Sequence, residues 1–338
     1  MSQDHLSFSD NLIPQPTFEP VNDRVRSWGP HVFNSNSDYV GYLAKEVLPL
    51  CHEENVSRVL DRSIVPTSEV RSIELGLNSL NTMDRYSLEV SIPLGGRWDG
   101  YNWIMVGGNK TGRFVSEETL GKLNAETDNA RKLGYTETRV LPQGYKVESI
   151  KDRVLDDSDV DSLQTILKAS FTHYPTSLLE PDKIRQLPFS PVSHPHVVRN
   201  EDGLIVSVAT GTVTKIEFPD KRTFIDLEIE DAASHPSVRD MGLNRVIRQV
   251  LIKSGVNDLG CDVIHTETRS SLDAPNCANS KNGMRPFGIL MSNCYIDGQS
   301  TVDEKSDILL ADWAKVYSCM NVWAITPRMK EYEYYKTN

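Results

Sequence analysis

At 338 residues, with 38% hydrophobic and 25% charged content, the chain has the length of about two globular domains, which excludes disorder throughout. Thirty-six Lys and Arg against 47 Asp and Glu leave a formal charge of −11. That balance argues against a surface made for nucleic-acid backbones or anionic lipid and favours a small cationic partner. No run approaches eighteen consecutive apolar residues, and Met1–His5 carries neither a basic nor an apolar leader pattern, so a cytoplasmic location with no membrane partner is expected. The five cysteines (51, 261, 277, 294 and 319) are scattered and form no Cys-x-x-Cys pair, which predicts reduced thiols and no metal site.

Residues 1–35 carry scattered Pro, Asn and Ser without periodicity and read as an arm or irregular wrap. Strand-like Tyr86–Ile92 and apolar Tyr101–Val106 follow, then a polar helix from Glu117 to Leu133 stopped by Gly134. Gly107–Arg113 has the letters of a phosphate loop in the wrong order and reads as a turn. From residue 147 the pattern becomes a regular α/β unit. Ser158 or Asp159 caps a helix whose apolar residues Val160, Leu163, Ile166, Leu167 and Phe171 follow helical spacing. His194-Pro195-His196 reads as a loop, and strands are expected at Leu204–Ala209 and Phe224–Ile229. A glycine turn at Gly242 opens an amphipathic helix through Leu243, Val246, Ile247, Val250 and Leu251. Strands at Val263–Thr268 and Met320–Ile325 close the unit.

The most informative stretch is Glu228–Asn244. A strand ends there and a short loop with Arg239, Asp240, Met241 and Gly242 leads straight into a helix, so backbone N–H groups and the positive end of the helix dipole point outward. Such a turn would hold a pyrophosphate. Arg239-x-x-Gly242-x-Asn244 resembles the Arg/Gln-x-x-Gly-x-Gly/Ala loop by which GCN5-related N-acetyltransferases hold acetyl-CoA. Within that superfamily the chain is more similar to the β-lysine N-acetyltransferase family. The matching residues are Phe171-x-x-Tyr174-Pro175 with Pro181; Glu228-x-x-Asp231-x-Ala233-x-x-Pro236-x-x-Arg239-x-x-Gly242-Leu243; Thr266-x-x-Arg269 with Asn276; and Asn293, Gly298 and Met320–Trp323. The resemblance covers roughly residues 150–325 and, more faintly, Ile92 to Arg113. It departs at Asn244, where the family has Gly or Ala, and at Asn279, where superfamily members often carry the tyrosine that protonates the leaving thiolate.

The resemblance implies an α/β (α+β) fold: a mixed sheet flanked by helices over 147–327, an added N-terminal arm and mixed α/β subdomain over 1–146, and a tail over 328–338. It implies acetyl-CoA as co-substrate and transfer to an amine. Holding an alkyl amine neutral at pH 7 costs about 4 to 5 kcal/mol from a reference pKa near 10.4, and a carboxylate, directly or through water, is the natural base. Period-two alternation puts Asp226, Glu228 and Glu230 on one face of the strand, with Ile225, Leu227, Ile229 and Asp231 on the other. Glu228 and Asp231 match the family and are assigned as base and amine-orienting acid; a solvated strand face is the alternative, above all for Asp226 and Glu230.

Backbone N–H groups at Ala233 and Ser234 would meet the oxyanion. Arg239, Asp240, Met241, Gly242, Leu243, Asn244 and Asn276 are assigned to the coenzyme, and Tyr174, Arg269, Asn293 and Asn321 to the acceptor. Arg269 would grip an acceptor carboxylate or, equally, pair with Glu267 or Asp262. The reading is an acetyl-CoA-dependent N-acetyltransferase acting on a small cationic amine, for example a diamino acid such as β-lysine, with room for a homodimer and no nucleic-acid partner. Two alternatives stand beside it: another acyl-CoA or a peptide or natural-product amine, and a module that binds acyl-CoA without turnover.

Overall fold

The computed structural model describes residues 17–19, 24–32, 36–47, 58–77, 85–109, 115–137, 140–171, 177–218, 220–295 and 317–328. Twelve strands among them form one sheet in the order β1-β2-β3-β5-β4-β11-β12-β10-β9-β8-β7-β6. In chain order these are β1 (Thr17–Glu19), β2 (Arg24–Val32), β3 (Arg58–Pro66), β4 (Arg85–Pro93), β5 (Tyr101–Asn109), β6 (Lys146–Ser149), β7 (Ser193–Arg199), β8 (Ile205–Glu217), β9 (Thr223–Ser234), β10 (Val263–Arg269), β11 (Arg285–Tyr295) and β12 (Tyr317–Ile325). The helices are α1 (Asn36–Tyr42), α2 (Val70–Leu77), α3 (Glu117–Arg131), α4 (Asp157–Ser170), α5 (Pro181–Gln186), α6 (Leu243–Asn257) and α7 (Asp273–Lys281). The mixed α/β class is as expected. None of these helices is long and apolar enough to cross a membrane.

The second half of the sheet grows from residues that alternate inward. Leu227 and Ile229 of β9 enter one core with Leu243, Ile247 and Leu251 of α6, and Ala233 enters another with Val160, Leu163 and Ile166 of α4 on the opposite face. Helix α4 is capped by Asp156, whose side chain accepts the Asp159 N–H, so the cap stands earlier than the expected Ser158 or Asp159. Gly134, with φ 61°, follows the end of α3 as expected.

Three expectations are corrected. Residues 17–19 and 24–32, expected in an irregular arm, are strands: β1 is the sheet edge, and β2 lies between it and β3, to which it runs parallel. His194-Pro195-His196, expected in a loop, lies in β7 and pairs with β8, Pro195 opposite Thr210; the proline's backbone edge faces β6 just past the end of that ladder at Ser149–His196, where a missing N–H breaks no ladder bond. Gly107, expected in a turn, is still inside β5, whereas 110–113 lie outside the described residues.

The sheet also runs unbroken across the two halves. Strand β4 abuts β11 at Gly288 opposite Val90, and a Cβ on Gly288 would stand 1.9 Å from the Glu89 carbonyl oxygen. Only glycine permits that approach. A shared core of Trp98, Trp103 and Leu60 from the N-terminal half and Phe224, Leu290 and Val322 from the C-terminal half lies across this seam.

Candidate functional site

Strand β10 pairs with β9 in parallel over Val263–His265 opposite Asp226–Glu228, while β9 continues to Ser234 and β10 to Arg269. No ladder joins the two strands beyond His265 among the described residues. Each is held on its far side only, β9 by β8 and β10 by β12. The sheet therefore opens as a fork whose facing edges are turned to each other without ladder hydrogen bonds between them.

Within the fork β9 is bulged. The register passes from Thr210–Glu230 to Val208–Ala233, so two residues of β9, Asp231 and Ala232, oppose Ala209. Asp231 takes a left-handed φ of 53°. A non-glycine residue held there costs about 1 to 3 kcal/mol, and bulges of this kind re-aim side chains beside functional sites. The simple alternation expected for Asp226–Asp231 is corrected accordingly: it holds up to Glu230 and is reset at the bulge. Leu227 and Ile229 therefore face α6, whereas Ala233, of the same sequence parity, faces α4.

The loop after β9 is a 3-10 turn, Pro236–Met241, ending at Gly242 with φ 72°. Gly242 opens α6, and no side chain caps that N-terminus. Arg239 is exposed and its Nη2 donates to the Ala169 carbonyl at the end of α4 (2.9 Å). Asp240 is exposed, Met241 packs on the core and Leu243 is inside it. Asn244 turns inward: its Nδ2 donates to Val208 O (3.0 Å) and its Oδ1 accepts from Arg248 Nε (2.8 Å). Arg248 also donates to Asn279 Oδ1, and Asn279 donates to Thr268 Oγ1 (2.9 Å). The residue at the expected tyrosine position is thus wholly buried and bound to a guanidinium. Burial pulls Arg248 down to about 10.

Asp226, Glu228 and Asp231 of β9 are buried, which overturns the solvated-face alternative for Asp226. Asp226 accepts from His265 Nδ1 (2.9 Å). Glu228 Oε2 accepts from Arg62 Nη1 at 2.9 Å, and His265 Nε2 lies 3.8 Å from the same oxygen. Arg62 also binds Glu267 through Nη2. Glu230 is half-buried and accepts from Thr212. Glu228, His265 and Glu267 converge with ligand atoms within 4.8 Å of one another, but the cation among them is Arg62, whose guanidinium contacts both carboxylates. Trp103 packs against His265 in a tilted contact, 4.8 Å between centroids. A small cleft next to the cluster is lined by Arg62, Trp103, Thr214, Ile216, Phe224 and Asp226, among others.

The asparagines assigned to ligands make internal bonds. Asn276 donates to the Arg269 and Leu272 carbonyls (2.9 and 2.7 Å) and accepts from Asn321 Nδ2 and Trp323 Nε1 (2.9 and 2.7 Å). Asn321 also accepts from Ser270 (2.8 Å). Asn293 donates to Glu267 (3.0 Å) and accepts from Arg58 (3.1 Å). Together they brace the β10 side of the fork, at whose end Arg269 stands half-buried. Ala233 is buried with its carbonyl bound by Ser207, and the Ser234 hydroxyl meets the Ser207 hydroxyl at 2.8 Å. Tyr174 lies outside the described residues.

Sequence reasoning missed Arg62, Trp103 and the role of His265. His265 stood visibly in an alternating strand, but nothing local to Arg62 or Trp103 announces that β3 and β5 reach the seam.

No family model matches the chain, and no curated protein matches it. Among solved structures, it is similar to a mutant of the spermidine N-acetyltransferase SpeG from Vibrio cholerae, at 10% identity over 58% of this chain and 98% of the other, TM-score 0.41. It is similar to the spermidine N-acetyltransferase from Vibrio cholerae in complex with CoA and spermine, at 12% identity over 54% of this chain and 96% of the other, TM-score 0.38. The ribosomal-protein-S5-alanine acetyltransferase from Vibrio fischeri is similar at 12% identity over 56% of this chain and 97% of the other, TM-score 0.39.

Proposed function

We propose that the chain is an acetyl-CoA-dependent N-acetyltransferase acting by direct transfer on the amine of a small cationic metabolite, of the class of diamino acids that includes β-lysine. The observation that carries this reading is the fork: a bulged strand and an uncapped helix N-terminus stand on one side of it, and a buried carboxylate cluster stands at its base.

The uncapped first turn of α6 behind Gly242 fits the pyrophosphate of a coenzyme, with backbone N–H groups as donors. Arg239, Asp240, Met241 and Asn244 shape that turn, and the inward rotation of Asn244 keeps its side chain bonded to Val208 and Arg248. On the edge of β9 that faces the fork, Ser234 supplies a backbone donor for an acyl oxygen, whereas the Ala233 N–H, like that of His235, is on the β8 side. Glu228 takes the amine's proton, Asp231 orients the amine at the bulge, and Arg269 at the mouth receives an acceptor carboxylate. Asn276, Asn293 and Asn321 hold the β10 side of the fork in place.

The absence of a tyrosine at 279 leaves the thiolate to depart unprotonated, which a thiol with a reference pKa of about 8.5 tolerates near neutral pH. The same absence supports a second reading, an acyl-CoA-binding module without turnover, because Asn279 is committed to Arg248 and Thr268. Incubation with acetyl-CoA and a panel of diamines and diamino acids, followed by free thiol, separates them. Acceptor-dependent thiol release supports the enzyme; coenzyme binding without release by any acceptor supports the module.

A further inference from the structure

The imidazole of His265 is wholly buried, and its Nε2 has no hydrogen-bond partner. A buried polar nitrogen left unpaired costs about 1 to 3 kcal/mol, so its retention calls for a reason. The other nitrogen, Nδ1, is 2.9 Å from Asp226 Oδ1, a carboxylate that is itself buried. A carboxylate can only accept, so Nδ1 carries a hydrogen, and in the neutral ring the lone pair is then on Nε2. Nε2 lies 3.8 Å from Glu228 Oε2. A shift of about 1 Å by the Glu228 carboxylate closes the gap to hydrogen-bond length.

The groups facing His265 decide what it can hold. From β9 come Asp226 and Glu228, from its own strand Glu267, and from β3 the guanidinium of Arg62, which binds both glutamates. Trp103 of β5 covers one side of the ring, and β12 presents Ala324 opposite it. The Cys261 thiol, near Asp226, is pushed up to about 12, first by burial and then by that carboxylate, and stays neutral. Arg62 offsets one of the two glutamate charges, so the cluster with Asp226 stays net negative, and Asp226 is the carboxylate in direct contact with the ring for an imidazolium. A proton arriving at Nε2 turns the Asp226–His265 pair into a neutral ion pair instead of creating an isolated buried charge.

We propose that Asp226 and His265 form a proton relay behind Glu228, a deepening that rests on the acetyl-transfer reading. The amine nitrogen's lone pair forms the N–C bond to the acyl carbon, and the C–S bond breaks with its electron pair leaving on sulfur. The proton shed by nitrogen goes to Glu228 Oε2 and from there to His265 Nε2, which restores Glu228 to its Arg62 clamp. His265 touches no substrate; it acts through Glu228.

The relay is tested on the full chain by the pH profile of thiol release for wild type and for His265→Asn, and by ¹⁵N NMR of the histidines in wild type. In the variant, kcat falls about 10-fold at neutral pH, less than the loss of a direct general base, because His265 acts through Glu228. The loss shrinks above about pH 9, where the amine begins to deprotonate unaided, and the KM for acetyl-CoA is unchanged. Asp226→Asn gives the same pH-dependent loss. In the NMR spectrum His265 is protonated on Nδ1 and bare on Nε2. Turnover by wild type with an unaltered or uniformly lowered profile in His265→Asn overturns the relay alone, as does an Nε2-protonated His265 if that variant does not fold. Absence of acceptor-dependent turnover by wild type overturns the acetyl-transfer reading and the relay with it.

Discussion

Arg62 and Glu228, 166 residues apart in the chain, meet in a hydrogen-bonded ion pair of 2.9 Å with side chains 2% and 11% exposed. The N-terminal half therefore supplies the counter-charge for the carboxylate at the base of the fork. Removing Arg62 leaves Glu228 and Glu267 buried beside each other without a cation, for which a cost of about 3 to 5 kcal/mol is expected. Arg62→Ala should thus lower the urea midpoint strongly. Arg62→Lys should recover only part of it, because one ammonium cannot reproduce a guanidinium bridging two carboxylates.

Gly288 is the narrowest point of the seam between the halves. Gly288→Ala forces a methyl group against the Glu89 carbonyl, with 1.9 Å available. A loss of about 1 to 3 kcal/mol or more is expected from such overpacking. Calorimetry on the full chain should show it as a lowered Tm, and an unchanged Tm would contradict the contact.

Asp61 sits in a wholly buried pocket where Ser27, Tyr39 and Ser63 donate to it, yet burial outweighs those bonds and raises its carboxyl from 3.8 to about 6. Between about pH 4 and 6 the folded protein holds a proton that the unfolded chain has released, so this group makes stability fall as pH rises through that window. The full effect is on the order of 3 kcal/mol. Asp61→Asn should remove that slope, read from Tm measured at successive pH values.

Asn276 makes four hydrogen bonds that tie α7, the end of β10 and β12 together. Asn276→Leu keeps the branched shape but leaves several of those partners unsatisfied, and a destabilisation of about 2 to 4 kcal/mol is expected in urea unfolding.

What could be read from the sequence was local. The apolar spacing of α4 and α6, the left-handed glycine before α6 and the strands β4, β9 and β10 follow from propensity, turn chemistry and alternation. The fork-lining carboxylates Glu228 and Asp231 stood out because they flank the arginine-bearing turn. The bulge at Asp231 had no sequence signal: Asp is compatible with a left-handed conformation but does not require it, and only the two-against-one register with β8 imposes it. The Arg62 clamp and the Trp103 contact were hidden for another reason. They depend on β4 reaching β11 through a glycine, a pairing between residues as distant in sequence as Val90 and Gly288. The asparagines looked like ligand residues because polar side chains near strand ends often are; here they satisfy buried backbone and side-chain groups at the fork.

The central claim, that Glu228 at the base of the fork takes the proton of an amine during acetyl transfer, is tested most directly by acceptor-dependent thiol release from acetyl-CoA, measured for wild type and Glu228→Gln across pH. A rate loss of about 100-fold or more at neutral pH is expected. That loss should narrow as the pH nears the amine's own pKa of about 10.4. An equal loss at every pH, or none, would contradict it.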